Sequence, residues 1–157
     1  MPRSAVVLLA ALALVLLLVL WHRRDRAPPF SPARASWALT PGVLNPVVTQ
    51  ATIGATICKH GWTATVRPPT SYTNELKLEQ MRAYGRRGGP HDYQEDHLIS
   101  LELGGHPTDP RNLWPEPLPH AYEVDGVENE LNDRVCSGKL TLADAQHRES
   151  LLKHTSG

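Results

Sequence analysis

The chain has 157 residues with 16 basic and 16 acidic side chains, so its formal net charge is zero. This length accommodates one folded domain, and the neutral balance argues against a broad electrostatic attraction to nucleic acid. Two cysteines exclude both a disulfide-rich scaffold and the paired Cys-x-x-Cys knuckles of structural zinc sites.

The N-terminal region contains an apolar run of 17 residues, at positions 5–21, preceded by a single basic residue, Arg3. The run is longer than a usual signal-peptide core and lies at the short limit for crossing a bilayer. We therefore predict a signal anchor or signal peptide over residues 1–26, with membrane contact through residues 5–21. Residues 27–41 are rich in proline and predict a linker, which leaves 42–157 as the folded domain.

Charge on either side of the apolar run bears on topology and on substrate. More basic residues follow the run than precede it, which favours a cytoplasmic domain. Without the four arginines and one aspartate of residues 3–26, 12 basic and 15 acidic side chains remain. Any attraction of the domain to phosphate must therefore be local.

Hydrophobic periodicity and helix caps predict a small α+β domain that is richer in helix than in strand. Asn45-Pro46 is typical of a helix start, and Thr141 with Asp144 is typical of a capping box. The predicted elements are a helix from 45 to about 58, an extended stretch at 62–66, a helix at 74–84, a hairpin formed by 93–103 and 112–114, and helices at 121–135 and 141–153. In the helix at 121–135, the residues predicted to face the core are Tyr122, Val127, Leu131 and Val135.

Asp96 and His97 open the most informative stretch, which continues through Gly104-Gly105 to Asn112. The glycine pair predicts a turn that brings Asn112 back against the Asp-His pair. A neutral imidazole can take a proton from water while a divalent cation neutralises charge on a phosphate. Carboxylate and amide oxygens are ligands that suit magnesium or manganese. The spacing therefore predicts a one-metal phosphodiesterase site.

These residues resemble the HNH endonucleases, whose ββα-metal fold is a hairpin followed by a helix that grips one metal ion. The resemblance implies that Asp96 is a metal ligand and that His97 is the general base. Asn112 would either bind the metal or brace the hairpin. The implied cofactor is one divalent ion, magnesium or manganese, with zinc as an alternative.

A third ligand is expected on the helix, and His120 is the candidate because it lies eight positions beyond Asn112. Glu116 competes for the same role. Three prolines between Trp114 and His120 are expected to delay the helix, which would place His120 just before it.

A wider resemblance covers roughly residues 40–146, which are similar to a group of small exported bacterial proteins carrying an HNH-like core. Cys58 and Cys136 each lie near the end of a predicted helix, and this suits one disulfide formed after export. Two free buried thiols are the alternative. Taken with the group it resembles, the chain is expected in the bacterial cell envelope outside the cytoplasm, anchored or secreted.

Basic residues near the site are candidates for phosphate contact. Arg82, Arg86 and Arg87 form a local basic cluster before the Asp-His pair, and Arg67 and Arg111 are expected to join it and contact phosphates on either side of the scissile bond. The alternative is a solvated helix end and loop.

The expected activity is a metal-dependent nuclease that hydrolyses phosphodiester bonds. The expected partners are nucleic acid, as the substrate, and the membrane. No nucleotide cofactor is expected. The sequence does not say whether an inhibitor protein binds the domain. One alternative is a non-catalytic envelope binding module that keeps the ββα scaffold. Another is a phosphodiesterase acting on a polymer other than nucleic acid.

Overall fold

The computed structural model describes residues 34–156 and, ahead of them, only Ala13 and Val15. Residues 34–156 lie within one compact unit. In this part of the chain the fold is α+β, as predicted, with four α-helices and one two-stranded antiparallel sheet. The helices are α1 Trp62–Val66, α2 Thr70–Ala83, α3 Leu118–Cys136 and α4 Leu142–Thr155, and the strands are β1 Tyr93–His97 and β2 Leu113–Pro117.

The predicted membrane segment at residues 5–21 lies outside the described residues, apart from Ala13 and Val15. Among the residues that are described, no helix combines the length and the apolar character needed to cross a bilayer.

The end of the predicted linker packs on the domain. The Ala35 backbone N–H donates to the Lys153 carbonyl at 2.9 Å. Thr40 is fully buried, and its hydroxyl lies 2.6 Å from that of Tyr84. The folded domain therefore begins before residue 42, where the proline content had placed its boundary.

The helix predicted from Asn45 does not form, and turns with one short 3-10 helix, Ile53–Ala55, occupy that stretch. The Asn45 side chain accepts from the Val47 N–H at 3.1 Å. The Thr52 hydroxyl accepts from the Thr49 N–H and donates to the Val47 carbonyl, both at 2.8 Å. Such short-range side-chain bonds satisfy the backbone groups that a helix would have paired.

Residues 62–66 were predicted as extended and instead form α1. An extended segment needs a neighbouring strand, and within residues 34–156 the sheet contains only β1 and β2. Gly61, with φ of 78°, turns the chain into the helix. The helix ends at Arg67 because Pro68 excludes helical backbone at the residue before it, and Arg67 has ψ of 129°.

Two predicted helices are confirmed as α2 and α4. Helix α2 begins at Thr70, about one turn earlier than predicted, and buries Leu76 and Met81. Helix α4 is capped as its sequence indicated, since the Thr141 hydroxyl accepts from the Asp144 N–H at 3.1 Å.

The hairpin pairs Tyr93 with Pro117 and His97 with Leu113. Strand β1 ends at His97 rather than at residue 103, and residues 98–112 form the connecting loop. The apolar side chains of that loop are buried, so its hydrophobic run reflects core packing rather than a longer strand. The predicted turn at the glycine pair is present. Gly104 has φ of 79°, and a Cβ on Gly105 would lie 1.7 Å from the Ile99 carbonyl oxygen.

Helix α3 follows β2 directly at Leu118, so the prolines do not delay it. Pro117 is the N-cap residue and Pro119 lies in the first turn, where a missing N–H removes no helical hydrogen bond. His120 is therefore on the helix and not before it.

The predicted inward face of α3 is half correct. Leu131 and Val135 are buried, whereas Tyr122 is 68% exposed and Val127 is 37% exposed. Glu128 faces inward in their place, one turn before Leu131.

A disulfide joins Cys58 to Cys136 at the end of α3, with 5.5 Å between their Cα atoms. The single-disulfide prediction is confirmed, and the alternative of two free thiols is wrong. The bridge fixes the segment that precedes α1 to the helix that packs on the hairpin.

Candidate functional site

A cleft of about 370 Å³ lies where the hairpin, α1 and α3 meet, and we call it the His97 cleft. Its lining is mainly polar and charged. The lining residues are Thr63, Arg67, Gln94, Asp96, His97, Ser100, Leu101, Glu102, Asp125, Glu128 and Asn129. Two of the predicted site residues, Asp96 and His97, are therefore together in it.

His97 is the last residue of β1, and its ring is oriented by the loop that follows. Its Nε2 lies 3.0 Å from the Pro107 carbonyl oxygen. A carbonyl can only accept, so Nε2 carries the proton and Nδ1 is unprotonated in the neutral ring. Nδ1 makes no hydrogen bond within residues 34–156. Burial lowers the pKa of His97 below 6.5, although the Pro107 hydrogen bond and Asp96 act in the opposite direction. The ring is therefore neutral at neutral pH.

Asp96 precedes His97, and both line the cleft because the strand ends there and the backbone turns. Asp96 Oδ2 accepts from Lys153 Nζ at 2.9 Å, and Oδ1 accepts from Gln94 Nε2 at 3.2 Å. Burial opposes ionisation of this carboxyl. The Lys153 ammonium, with smaller contributions from a hydrogen bond to Glu116 and from His97, outweighs burial and holds the pKa of Asp96 well below its usual range.

Lys153 on α4 is fully buried beneath the cleft. Its Nζ donates to the His97 carbonyl at 2.6 Å and to Glu128 Oε1 at 2.5 Å, in addition to Asp96. Glu149 Oε1 lies 3.7 Å away. Burial opposes the charge on the ammonium, but the carboxylates outweigh it and raise the pKa of Lys153 above its usual value. We call Asp96, Glu128, Glu149 and Lys153 the charged cluster.

Lys153 and Glu128 were not predicted from the sequence as site residues, and the reason differs between them. A Glu and a Lys four residues apart, as in α4, are typical of an exposed helix face, so Lys153 carried no signal of burial. Glu128 did carry one, since it shares a helical stripe with Val124, Leu131 and Val135. A carboxylate on a core-facing stripe indicates a site or a buried ion pair.

Helix α3 contributes two carboxyl groups to the cleft lining, Asp125 and Glu128, and Glu128 is the buried one. Burial raises its pKa to about 7, against the opposing influence of Lys153. Its side chain remains 11% exposed. The sequence had assigned His120 as the side chain of α3 that enters the site, whereas in the structure Glu128 does so and His120 does not.

Asn112 braces the loop. Its Oδ1 accepts from the Ile99 N–H at 3.0 Å. Its Nδ2 donates to the Ile99 and His106 carbonyls, each at 3.0 Å. The side chain is fully buried and does not line the cleft. Of its two predicted roles, the geometry is that of the brace, and Gly105 leaves the space in which the amide sits.

His120 does not line the cleft either. Its Nδ1 bonds to Glu116, its Nε2 lies 3.1 Å from Ser156 Oγ, and its ring meets Trp114 edge-on. Burial raises the pKa of Glu116 to about 10, and the neighbouring Asp96 acts in the same direction, so this carboxyl is protonated and forms a neutral pair with the His120 ring. We call Glu116, His120 and Ser156 the neutral cluster. The predicted ligand and its predicted competitor bind each other.

The predicted phosphate-contacting arginines also lie away from the cleft lining. Arg111 makes a two-pronged pair with Asp109, at 3.0 and 2.7 Å, on the surface. Arg86 is half-buried, with its guanidinium carbon 5.0 Å from the centre of the Tyr84 ring. Arg87 is exposed. The arginine that does line the cleft is Arg67.

The predicted metal set of Asp96, Asn112 and His120 is not brought together. Within residues 34–156, no group of three or more His, Cys, Asp or Glu side chains is arranged to hold a metal ion. Asp96 and Glu128 nevertheless fit a hard cation by their chemistry. Both are carboxylates in the cleft lining, and each has a second oxygen that Lys153 does not contact.

Comparison of this chain with family models, curated proteins and solved structures found no match.

Proposed function

We propose that this protein is a metal-dependent nuclease with an HNH-like ββα arrangement, and that His97 is its general base. The observation that carries the proposal is the state of the His97 ring. It is held through Nε2 by a backbone carbonyl, it is neutral at neutral pH, and its Nδ1 is unbonded within residues 34–156 while the ring lines a polar cleft. A general base requires these properties.

The order of the elements supports the same proposal. Strand β1 ends with the Asp96-His97 pair, β2 pairs with it, and α3 follows β2 without a connecting loop. Asn112 and Gly105 hold the intervening loop at the place where the resemblance to the HNH endonucleases expects them.

In the proposed reaction, a water molecule in the cleft gives a proton to His97 Nδ1 as its oxygen forms a bond to phosphorus. The bond from phosphorus to the ester oxygen of the next nucleotide breaks, and that oxygen takes a proton from solvent. The imidazolium formed on His97 is stabilised by the Pro107 carbonyl and by the ionised Asp96 beside it.

Asp96 and Glu128 would hold the divalent ion. When bound, the ion would neutralise charge on the phosphate and on the departing oxygen. Asp96 is ionised at neutral pH and Glu128 has a pKa of about 7, so the pair carries negative charge for a cation, of which the Lys153 ammonium already neutralises a part.

Export to an oxidising compartment is part of the proposal. The Cys58–Cys136 bond supports it, because structural disulfides persist outside the reducing cytosol. Membrane contact through residues 5–21 stays a prediction from the sequence.

The test uses the full chain, purified in detergent with its disulfide intact. It is incubated with supercoiled plasmid and with RNA under magnesium, manganese, zinc or chelator, beside His97→Ala. His91→Ala is the matched control, because the His91 side chain is 85% exposed and lies outside the cleft. We expect metal-dependent cutting that His97→Ala reduces about 10²- to 10⁴-fold and that His91→Ala leaves unchanged. Equal cutting by His97→Ala would overturn the assignment of the base.

A non-catalytic binding module is the second candidate, and one observation favours it. Lys153 already neutralises part of the charge on Asp96 and Glu128, as a structural ion would. This alternative predicts that the folded, oxidised protein cuts neither substrate under any of the metals. It also predicts that His97→Ala leaves both stability and partner binding intact.

A further inference from the structure

Arg67 is set apart from the other charged residues of the His97 cleft. Among the described lining residues it is the one permanent cation, whereas Asp96, Glu102, Asp125 and Glu128 are carboxyl groups. Within residues 34–156 its guanidinium makes no hydrogen bond and no ion pair, although four acidic side chains share the cleft with it. The donors of Arg67 therefore remain available to a bound molecule.

Some arginines of the domain are already engaged. Arg111 is held by Asp109, and Arg134 lies 3.5 Å from Glu130. The Arg82 Nε donates to the Leu78 carbonyl at 3.0 Å. Within residues 34–156, the exposed Arg87 and Arg148 resemble Arg67 in having no side-chain partner, but neither of them lines the cleft. Arg67 is therefore distinguished by its position in the cleft, where its donors can meet a bound molecule.

The backbone at Arg67 is fixed in place. Its N–H donates to the Thr63 carbonyl at 3.0 Å and closes α1. Pro68 follows it, is buried, and holds Arg67 in extended backbone. The disulfide from Cys58 ties the segment ahead of α1 to the end of α3. These contacts fix the backbone that carries the guanidinium, and the Arg67 side chain itself is exposed.

Arg67 is also within electrostatic reach of the proposed base. Its positive charge contributes to lowering the pKa of His97, after the larger effect of burial. It opposes the upward shift that burial gives to the pKa of Glu102. Arg67 and His97 line the same cleft, so a group bound to the guanidinium would share the cleft with the imidazole.

We propose that Arg67 forms a phosphate-binding subsite of the His97 cleft, and that it holds the phosphodiester of a nucleic-acid strand beside His97. This assignment rests on the proposed nuclease function and names its substrate contact. A planar guanidinium with five donors matches two phosphate oxygens at once. In a cleft whose other charges are acidic, Arg67 is the side chain that gives a polyanion a favourable point of entry.

The experiment measures binding separately from cutting. The full chain carrying His97→Ala is titrated with fluorescently labelled single-stranded DNA, duplex DNA and RNA oligonucleotides at several salt concentrations. Arg67→Ala and Arg67→Lys are added to this background. Arg148→Ala and Arg134→Ala are the matched controls, since neither side chain lines the cleft and neither is predicted to contact phosphate.

We expect Arg67→Ala to weaken binding about tenfold or more. It should also reduce the slope of log affinity against log salt by about 0.7 to 0.9, as expected for one lost phosphate contact. Arg67→Lys should restore part of the affinity, and both control arginines should leave it unchanged. Inorganic phosphate should compete with the oligonucleotide in the parent and not in Arg67→Ala.

Equal affinity and equal salt slope for the parent and Arg67→Ala would overturn the subsite, as would an absence of oligonucleotide binding by the parent. These outcomes are distinguishable from failure of the nuclease proposal. Cutting that depends on His97 with no effect of Arg67→Ala leaves the nuclease and removes the subsite. Binding that depends on Arg67, without any cutting, leaves the subsite and removes the nuclease.

Discussion

The charged cluster and the neutral cluster both bring a carboxyl group to a histidine of the hairpin or its helix, but their electrostatics are opposite. In the charged cluster, Lys153 keeps Asp96 ionised beside His97, whose Nδ1 has no partner in residues 34–156. In the neutral cluster, Glu116 keeps its proton and both nitrogens of His120 are bonded. A histidine near a carboxyl group is therefore a candidate for catalysis only where a ring nitrogen remains open to a cleft.

Removing the cation of the charged cluster should have the largest effect on stability. Lys153→Met leaves Asp96 and Glu128 buried without their shared partner, and breaking such a pair costs about 3–5 kcal/mol. The free energy of unfolding from urea titration measures this. Lys139→Met is the control, since Lys139 is exposed. A loss for Lys153→Met no larger than that of the control would show that the cluster is not paired as described.

Removing the brace should have the next largest effect. Asn112→Ala leaves the buried Ile99 N–H and carbonyl without their partners, which we expect to cost about 2–3 kcal/mol. Because the same loop carries the Pro107 carbonyl that orients His97, activity should fall as well. Asn112→Asp separates the two roles. It retains the acceptor for the Ile99 N–H but sets a carboxylate oxygen against the Ile99 and His106 carbonyls in a fully buried site, so at neutral pH we expect a loss at least as large as that of Asn112→Ala. A parent-like stability for Asn112→Asp would contradict the assignment of the amide as the donor.

The pH dependence of cutting should report the His97 ring. The base acts in its neutral form, and burial lowers its pKa below 6.5. Activity should therefore be level at neutral pH and decline about tenfold per pH unit only below that lowered pKa. The rate of plasmid or RNA cutting between pH 4.5 and 8, at saturating metal, measures the profile. A midpoint above 7 would contradict a neutral, buried base.

At pH 5 the smallest effect is expected in the neutral cluster, and its contribution appears as the pH rises. The pKa of Glu116 rises on folding from 4.5 to about 10, so the folded state binds its proton more tightly. Its contribution to stability is complete below pH 4.5 and declines with rising pH, by at most about 1.4 kcal/mol per pH unit, until the pH passes about 10.

Glu116→Gln tests this sign, because an amide has the shape of the protonated carboxyl and stays neutral at every pH. We expect nearly unchanged stability at pH 5 and a flatter decline from pH 5 to pH 9. Thermal unfolding at these pH values gives the comparison. A steeper decline in the variant would show that Glu116 is ionised in the native protein.

Local chemistry in the sequence was enough to predict the features that depend on near neighbours. The Thr141 cap, the turn at Gly104-Gly105 and the position of Asp96-His97 on the hairpin all follow from residues close in the chain. The disulfide also followed, because only one pairing of Cys58 and Cys136 exists. In each case the deciding interaction lies within a few residues or has a single partner to choose.

The parts that could not be predicted depend on contacts between distant segments. Lys153 reaches the site from α4, and its burial is visible only once α4 is packed under β1. Residues 62–66 have strand-forming side chains but no strand to pair with in the described fold. The assignment of His120 relied on a spacing taken from the resemblance, whereas packing turned that ring towards Trp114 and brought Glu128 to the cleft instead.

The measurement that tests the account most directly compares His97→Ala with His120→Ala in the full chain, with the cutting rate normalised to the folded fraction and unfolding followed in parallel. We predict that His97→Ala loses about 10²-fold or more of the rate and keeps most of its stability. His120→Ala should lose stability and keep its rate per folded molecule. The reverse assignment, with His120→Ala inactive while folded and His97→Ala active, would contradict the central claim that His97 is the base.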